Sequence, residues 1–386
     1  MQGIQKKTKI LFVVNAEWYF YLHWLFLAKS LLDMGYEVVI AACVERGYDS
    51  IIKEYGIRFI PLLFLQRRST NWHQEITCLK ELYNLYMSEK PDLVCHITIK
   101  PVIYGSIVAK IAGIKKVINL ISGLGYTYLA RGVRGLFFRI VTLLAYKLAF
   151  SGKLVRVIFL NHDDESEFIK WGIVSPKKSS VIYCPGIDID KFKPAHQASN
   201  GTPILLLASR FLWDKGIAEL IEAVRKLKLL CVEFKVVLVG APDDENPTSI
   251  PVNILKGWES EGLVEYWGFR KDMPEVLRMA DIAVLPSYRE GMPRFLVEAA
   301  ATGLSIVTTD VPGCREVVRN GVNGFLVPVK NVEKLVEALR ILIQDVDLRK
   351  SMGERGREIA VNEFSVEHVI QQTLSVYNEL MSKRTH

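Results

Sequence analysis

Cysteine is scarce and scattered in this chain. Its six thiols (Cys43, Cys78, Cys95, Cys184, Cys231 and Cys314) form no CxxC and no cysteine–histidine ligand spacing. That argues against a structural zinc site and leaves reduced, partly buried thiols in a cytosolic protein as the expectation. No segment offers about 20 uninterrupted apolar residues, so no spanning helix is expected. The first apolar run, Ile10 to Val14, is too short for a signal-peptide core and is followed by polar Asn15 and Glu17. No short repeat is visible. No helix-turn-helix pattern and no aromatic-interleaved basic strand pair supports a nucleic-acid partner. Finally, residues 93–162 contain no acidic residue at all, against ten basic ones.

What is present describes an ordered globular protein. The chain has 386 residues, 50% of them apolar and 24% charged, which makes two domains the expectation. The net charge of +7 is unevenly spread: residues 1–200 hold 26 Lys and Arg against 16 Asp and Glu, and the remainder is slightly acidic. Within the acid-free window, Arg131, Arg134, Arg139 and Lys147 punctuate an apolar helical pattern. A basic amphipathic segment of this kind suits an anionic membrane surface. The expected location is therefore cytoplasmic, peripheral on the inner face of the plasma membrane.

The first half alternates apolar strands (9–14, 37–42, 57–61, 92–95, 116–121, 154–159, 179–183) with helical patterns (22–34, 73–88, 101–113, 134–150, 162–171). A turn-rich, linker-like run from Cys184 to Thr202 follows. The pattern then restarts, with strands at 203–208, 234–239, 264–267, 281–285, 305–308 and 324–327 and helices between them, ending in helices 347–361 and 366–382. Such alternation predicts an α/β protein with parallel sheets covered on both faces. The expected division is 1–195, 196–365, and a closing helix 366–386 that packs back on the first domain.

Two segments of the second half carry chemistry. Glu290 and Glu298 lie eight positions apart, the first in the loop after an apolar strand and the second about one turn into the following helix. Ligands of open α/β sheets bind at that edge. Backbone N–H groups near Met292 to Phe295 face an anion favourably, while the carboxylates suit sugar hydroxyls. The pattern suggests a ligand with both phosphate and sugar. The restart strand ends in Ser209-Arg210-Phe211-Leu212-Trp213-Asp214-Lys215-Gly216. Two cations before a helix are not favoured by its dipole, so a phosphate-binding role is the better account.

Taken together these motifs resemble the GT-B glycosyltransferases of family 4 (group 1). The matching residues are Ser209-Arg210-x4-Lys215-Gly216, Val239-Gly240, Gly268, Leu285-Pro286-Ser287-x2-Glu290-Gly291-x6-Glu298-Ala299, Thr309 to Glu316, and Gly321-x2-Gly324. Asn15 to His23, Ile97-Thr98-Ile99-Lys100-Pro101, Gly123-Leu124-Gly125-Tyr126 and Asp243 to Pro247 look like the branch that builds capsule, O-antigen and lipid-linked oligosaccharides.

The resemblance implies two Rossmann-like domains facing across a cleft. The first would bind the acceptor and the second the nucleotide sugar. Arg210 and Lys215 would hold the donor diphosphate, Glu290 the transferred sugar and Glu298 the ribose hydroxyls. Backbone from Gly291 through Met292, Pro293, Arg294 and Phe295 to Leu296 would complete the donor contacts. It also implies retention of anomeric configuration and no metal or other cofactor, a UDP-sugar serving as donor substrate. Many relatives have a histidine after the strand matched by Val117 to Ile121. Here Ser122-Gly123 stand there, so His96 and His23 are the candidate histidines of the first domain. The expectation is transfer of a hexose, an N-acetylhexosamine, from UDP to a polyprenyl-diphosphate-linked saccharide. The alternatives are a transferase acting on a glycerolipid or soluble sugar, and an inactive membrane-docked scaffold.

Overall fold

The computed structural model describes residues 7–66, 71–123, 132–183, 185–194, 201–243 and 246–382. It divides into two compact units, Met1–Pro185 with Val369–His386, and Gly186–His368.

The first unit is built on seven strands: β1 (Lys9–Ala16), β2 (Glu37–Cys43), β3 (Arg58–Pro61), β4 (Leu93–Ile97), β5 (Val117–Ile121), β6 (Val155–Phe159) and β7 (Ser179–Val181). They pair in parallel in the order β3-β2-β1-β4-β5-β6-β7. Strands covered by helices on both faces read as continuous apolar runs, and Ile10 to Val14 of β1 are fully buried. The winding reverses between β1 and β4, which opens a crevice at their carboxyl ends.

Helices Glu17–Asp33, Trp72–Glu89, Gly132–Ala149 and His162–Lys170 occupy the stretches with helical spacing. Two features differ from the sequence reading. Helix Tyr48–Glu54 is unforeseen, because only Ile52 of its seven residues is buried and no apolar period marks it. The stretch expected as one helix over 101–113 opens instead as a π-turn, Pro101–Gly105, before continuing as Ser106–Ile111.

The second unit repeats the winding with six strands: β8 (Ile204–Ala208), β9 (Lys235–Val239), β10 (Glu265–Tyr266), β11 (Ile282–Leu285), β12 (Ser305–Thr309) and β13 (Gly324–Val327). Their order is β10-β9-β8-β11-β12-β13, all parallel, so its switch point lies between β8 and β11. The start of the linker-like run is not loose. Ile187 and Phe192 are buried, the Ile187 N–H donates to Phe364 O at 2.7 Å, and the Arg357 guanidinium donates to Ile189 O and Phe192 O. Two apolar anchors among turn residues attach Gly186–Pro194 to this unit.

Helix Val366–Ser382 begins in the second unit and continues, from Val369, in the first. There Tyr377 Oη lies 2.7 Å from Cys95 Sγ, and Arg156 donates to both carboxylate oxygens of Glu379. Among the described residues no helix is long and apolar enough to cross a membrane.

Candidate active site

The switch point of the second unit brings four loops together. After β8 the chain passes Ser209 and Arg210 into a short 3-10 turn, Trp213–Lys215, that ends at Gly216 with φ +72°. A Cβ on Gly216 would stand 2.0 Å from Pro286 O, so the β8 and β11 loops can touch only through glycine. The contact is sewn by Tyr288 N–H donating to Asp214 O (2.8 Å) and Ser287 Oγ donating to the same carbonyl (3.2 Å). The β9 loop joins through Thr248 Oγ1 donating to Asp214 Oδ2 at 3.0 Å. The β12 loop joins through Thr309 Oγ1 donating to Ser287 O. Gly313 presses on the same place: a Cβ there would lie 2.5 Å from Gly291 O.

On this frame Lys215 Nζ meets Glu290 Oε1 at 2.5 Å, both side chains mostly shielded from solvent. Lys215 and Glu290, 75 residues apart in sequence, thus meet at one sheet edge, with Arg210 on the same loop as Lys215. Arg210 is more exposed and donates through Nη1 to Asp243 Oδ2 at 2.6 Å. Glu298 is buried one turn into helix Arg294–Thr302 and accepts from Arg294 Nε at 2.7 Å. Burial raises the Glu298 carboxyl above its ordinary range; the nearby charges of Arg294 and Lys191 only partly offset this. Beneath the loops, burial pushes the Cys314 thiol up to about 12, so it is an inert neutral group.

Helix Arg294–Thr302 has no side-chain cap at its start, which leaves first-turn N–H groups without that partner. Not all of the expected backbone donors qualify. Pro293 has no N–H, and Leu296 N–H already donates to Pro293 O at 3.0 Å.

Arg294 and Asp243 were singled out in the sequence, but their pairing with Glu298 and Arg210 was not foreseen. Arg294 stands at i,i+4 from Glu298, a spacing that could have revealed it. Asp243 is 33 residues from Arg210, and only the sheet order brings them together.

The first unit corrects one candidate. His96 lies in β4 with no exposed surface. Tyr86 Oη is 2.8 Å from Nε2 and Asn119 Oδ1 is 2.9 Å from Nδ1. A side chain enclosed in this way cannot touch a substrate, and the ring packs so closely on the π-turn that a Cβ at Gly105 would lie 2.5 Å from it. His96 is a core residue. His23 lies beside Tyr19, ring centroids 4.4 Å apart.

Of the basic residues singled out for a membrane, Arg131 and the side chain of Arg134 lie outside the described residues, as do Leu124 to Tyr126 of the glycine motif. Arg139 is laid over the Trp171 ring at 5.0 Å, and Lys147 is exposed. The same helix, Gly132–Ala149, presents an apolar ridge. Phe137, Ile140, Val141, Leu144 and Leu148 recur at helical spacing and are 46–64% exposed.

Comparison with known proteins matches both halves of the chain. Residues 188–359 fit the model of glycosyl transferases group 1, and residues 9–160 fit that of the glycosyl transferase 4-like family. By both matches this chain is a glycosyltransferase. The glycosyltransferase is 29% identical over 367 residues to the N,N'-diacetylbacillosaminyl-diphospho-undecaprenol alpha-1,3-N-acetylgalactosaminyltransferase of Campylobacter jejuni, covering 92% of this chain and 94% of that protein. It is 26% identical to the Escherichia coli UDP-Gal:alpha-D-GlcNAc-diphosphoundecaprenol alpha-1,3-galactosyltransferase, with 88% of each chain covered. Among solved structures, Anabaena HepE in complex with UDP and glucose superimposes with a TM-score of 0.77 at 21% identity, over 96% of this chain and 100% of that one. The two parallel-sheet units are those of the GT-B fold.

Proposed function

We propose that this glycosyltransferase moves an N-acetylhexosamine from UDP to a saccharide carried on polyprenyl diphosphate, with retention of anomeric configuration and without a metal. The observation that carries this is the set of cations and carboxylates at the second unit's switch point: Lys215 with Glu290, Arg210 beside it, and buried Glu298. The names of the two bacterial relatives, both acting on undecaprenyl-diphosphate-linked sugars, support the acceptor class.

In this reading Lys215 and Arg210 grip the donor diphosphate. Lysine has three N–H donors and the guanidinium five, so each can hold its carboxylate partner and still donate to phosphate oxygens. They stabilise the charge that grows as the sugar C1–O bond to phosphate breaks. The acceptor hydroxyl forms the new C1–O bond on the same face, and its proton passes to an oxygen of the departing diphosphate. Glu290 accepts from hydroxyls of the transferred sugar. Glu298, held by Arg294, accepts from the ribose hydroxyls. Peripheral attachment to an anionic membrane is supported by the acid-free window and by the apolar ridge beside Lys147 and Arg139.

The test is a panel of UDP-sugars against lipid-diphosphate-linked saccharides, with the product's linkage and anomer assigned by NMR. Turnover that persists in chelator supports the metal-free route. Transfer confined to soluble sugars would overturn the acceptor assignment.

A further inference from the structure

We infer that Lys100, set by Glu75, Tyr104 and a strained turn at Thr98, is the residue that holds the acceptor's diphosphate; this deepens the proposed acceptor class and rests on it. The switch point of the first unit lies between β1 and β4, and crevices of this kind take ligands at the strands' carboxyl ends. The donor cations sit in the second unit, so this edge is unclaimed by them.

Three observations mark it. Thr98, directly after β4, has φ +76°. The other non-glycine residues found there among the described residues, Lys90, Cys231 and Lys330, are unbranched at Cβ. A β-branched residue in the left-handed region is a genuine outlier, and such strain concentrates at binding sites. The strain is held from both sides: Thr98 Oγ1 donates to Asn15 Oδ1 at the end of β1, and Asn15 Nδ2 donates to Leu65 O at 3.1 Å. The π-turn Pro101–Gly105 follows at once, a form that recurs at functional sites.

Lys100 stands between the strained residue and the π-turn. Its Nζ donates to Glu75 Oε1 at 2.8 Å and lies 5.9 Å from the centre of the Tyr104 ring. The Tyr104 hydroxyl is itself raised, first by burial and then by its hydrogen bond to Glu75. The ammonium is anchored on a side chain that keeps 17% of its surface exposed. One of its three N–H donors goes to Glu75. A group with only donors recognises an oxyanion. Among the acceptor's chemical parts, the diphosphate is the one that fits.

The test is binding of farnesyl diphosphate, measured by calorimetry with UDP saturating so that the donor site is filled. Wild type should bind, and Lys100→Met should bind at least about tenfold more weakly, a loss of about 1.4 kcal/mol. Lys100→Arg should keep the affinity, and UDP affinity should stay the same in both. Glu75→Gln, which removes the competing charge while keeping a polar partner, should bind farnesyl diphosphate more tightly. This second variant decides the matter if Lys100→Met does not fold. Equal binding by wild type and Lys100→Met, no binding by wild type, or no gain in Glu75→Gln each overturns the assignment. In transfer assays Lys100→Met should raise KM for the lipid-diphosphate acceptor and leave KM for the UDP-sugar unmoved. Lys100-dependent binding without transfer to any such acceptor would instead sink the proposed reaction and spare the site.

Discussion

Lys215 and Glu290 share one short contact but have separate tasks in the proposed reaction, and substitution should separate them from folding. Both sit on loops fixed by backbone contacts rather than by their own side chains. Lys215→Ala and Glu290→Ala should therefore melt like wild type and lose transfer by about 10²–10³-fold, the usual effect of deleting a group aimed at developing charge. Near-normal turnover by either would undo the donor assignment. The meeting of these residues at one sheet edge was legible because strand ends, glycines and charges recur at fixed spacing along Ser209 to Gly216 and Glu290 to Glu298. His96 was misread for the opposite reason. A histidine at the end of an apolar strand looks the same in sequence whether it faces a ligand or a buried tyrosine. Its burial has a pH consequence. The folded imidazole is lowered to about 4 from 6.5, chiefly by desolvation. The unfolded state therefore takes up a proton first as pH falls, and stability is lost between pH 6.5 and 4. The full effect is about 3 kcal/mol. Urea midpoints should fall from pH 7.5 to 5 in wild type and fall less in His96→Gln; parallel slopes would show that His96 is not the group responsible.

At the scale of elements, the strands and most helices were legible because buried parallel strands are apolar throughout and covering helices keep a 3.6 period. Helix Tyr48–Glu54 and the π-turn after Pro101 were not, since one buries a single residue and the other differs from an α-helix only in its hydrogen bonds. The loops are where glycine decides. Gly216→Ala would strain a positive-φ backbone by about 1–3 kcal/mol and push a methyl group into Pro286 O. It should lower the thermal midpoint and weaken UDP binding together; a variant that melts lower yet binds UDP normally would show the β8–β11 contact to be scaffolding alone. Helix Gly132–Ala149 makes the contrary case, an element whose apolar face stays exposed. Inserting a leucine or phenylalanine side chain into lipid is worth about 1.5–3 kcal/mol. Phe137→Asp and Leu144→Asp should each cut binding to phosphatidylglycerol vesicles by at least tenfold in flotation, about 1.4 kcal/mol, with unchanged circular dichroism. Lys147→Glu should reduce only the salt-sensitive part. Retained flotation by both aspartate variants would exclude this ridge as the contact.

At the scale of the whole chain, the covalent order and the compact units do not coincide. The last helix leaves the second unit and completes the first, where Val369, Thr373, Val376, Tyr377 and Leu380 are buried. Periodicity alone finds such a helix without saying which sheet it covers, and the expectation that it packs back on the first domain agrees with its place in the first unit. The contacts decide it: Tyr377 closes over Cys95 in β4, and Glu379 neutralises Arg156, a guanidinium with 7% exposure in β6. Removing Val369–His386 would uncover both strands and expose the apolar surface that Val369, Val376, Tyr377 and Leu380 cover. Hydrogen exchange should then show lost protection across β4, β5 and β6, while β8, β11 and β12, whose core excludes this helix, keep theirs. Protection lost equally in both sheets would mean that the closing helix stabilises the chain through the second unit as much as the first.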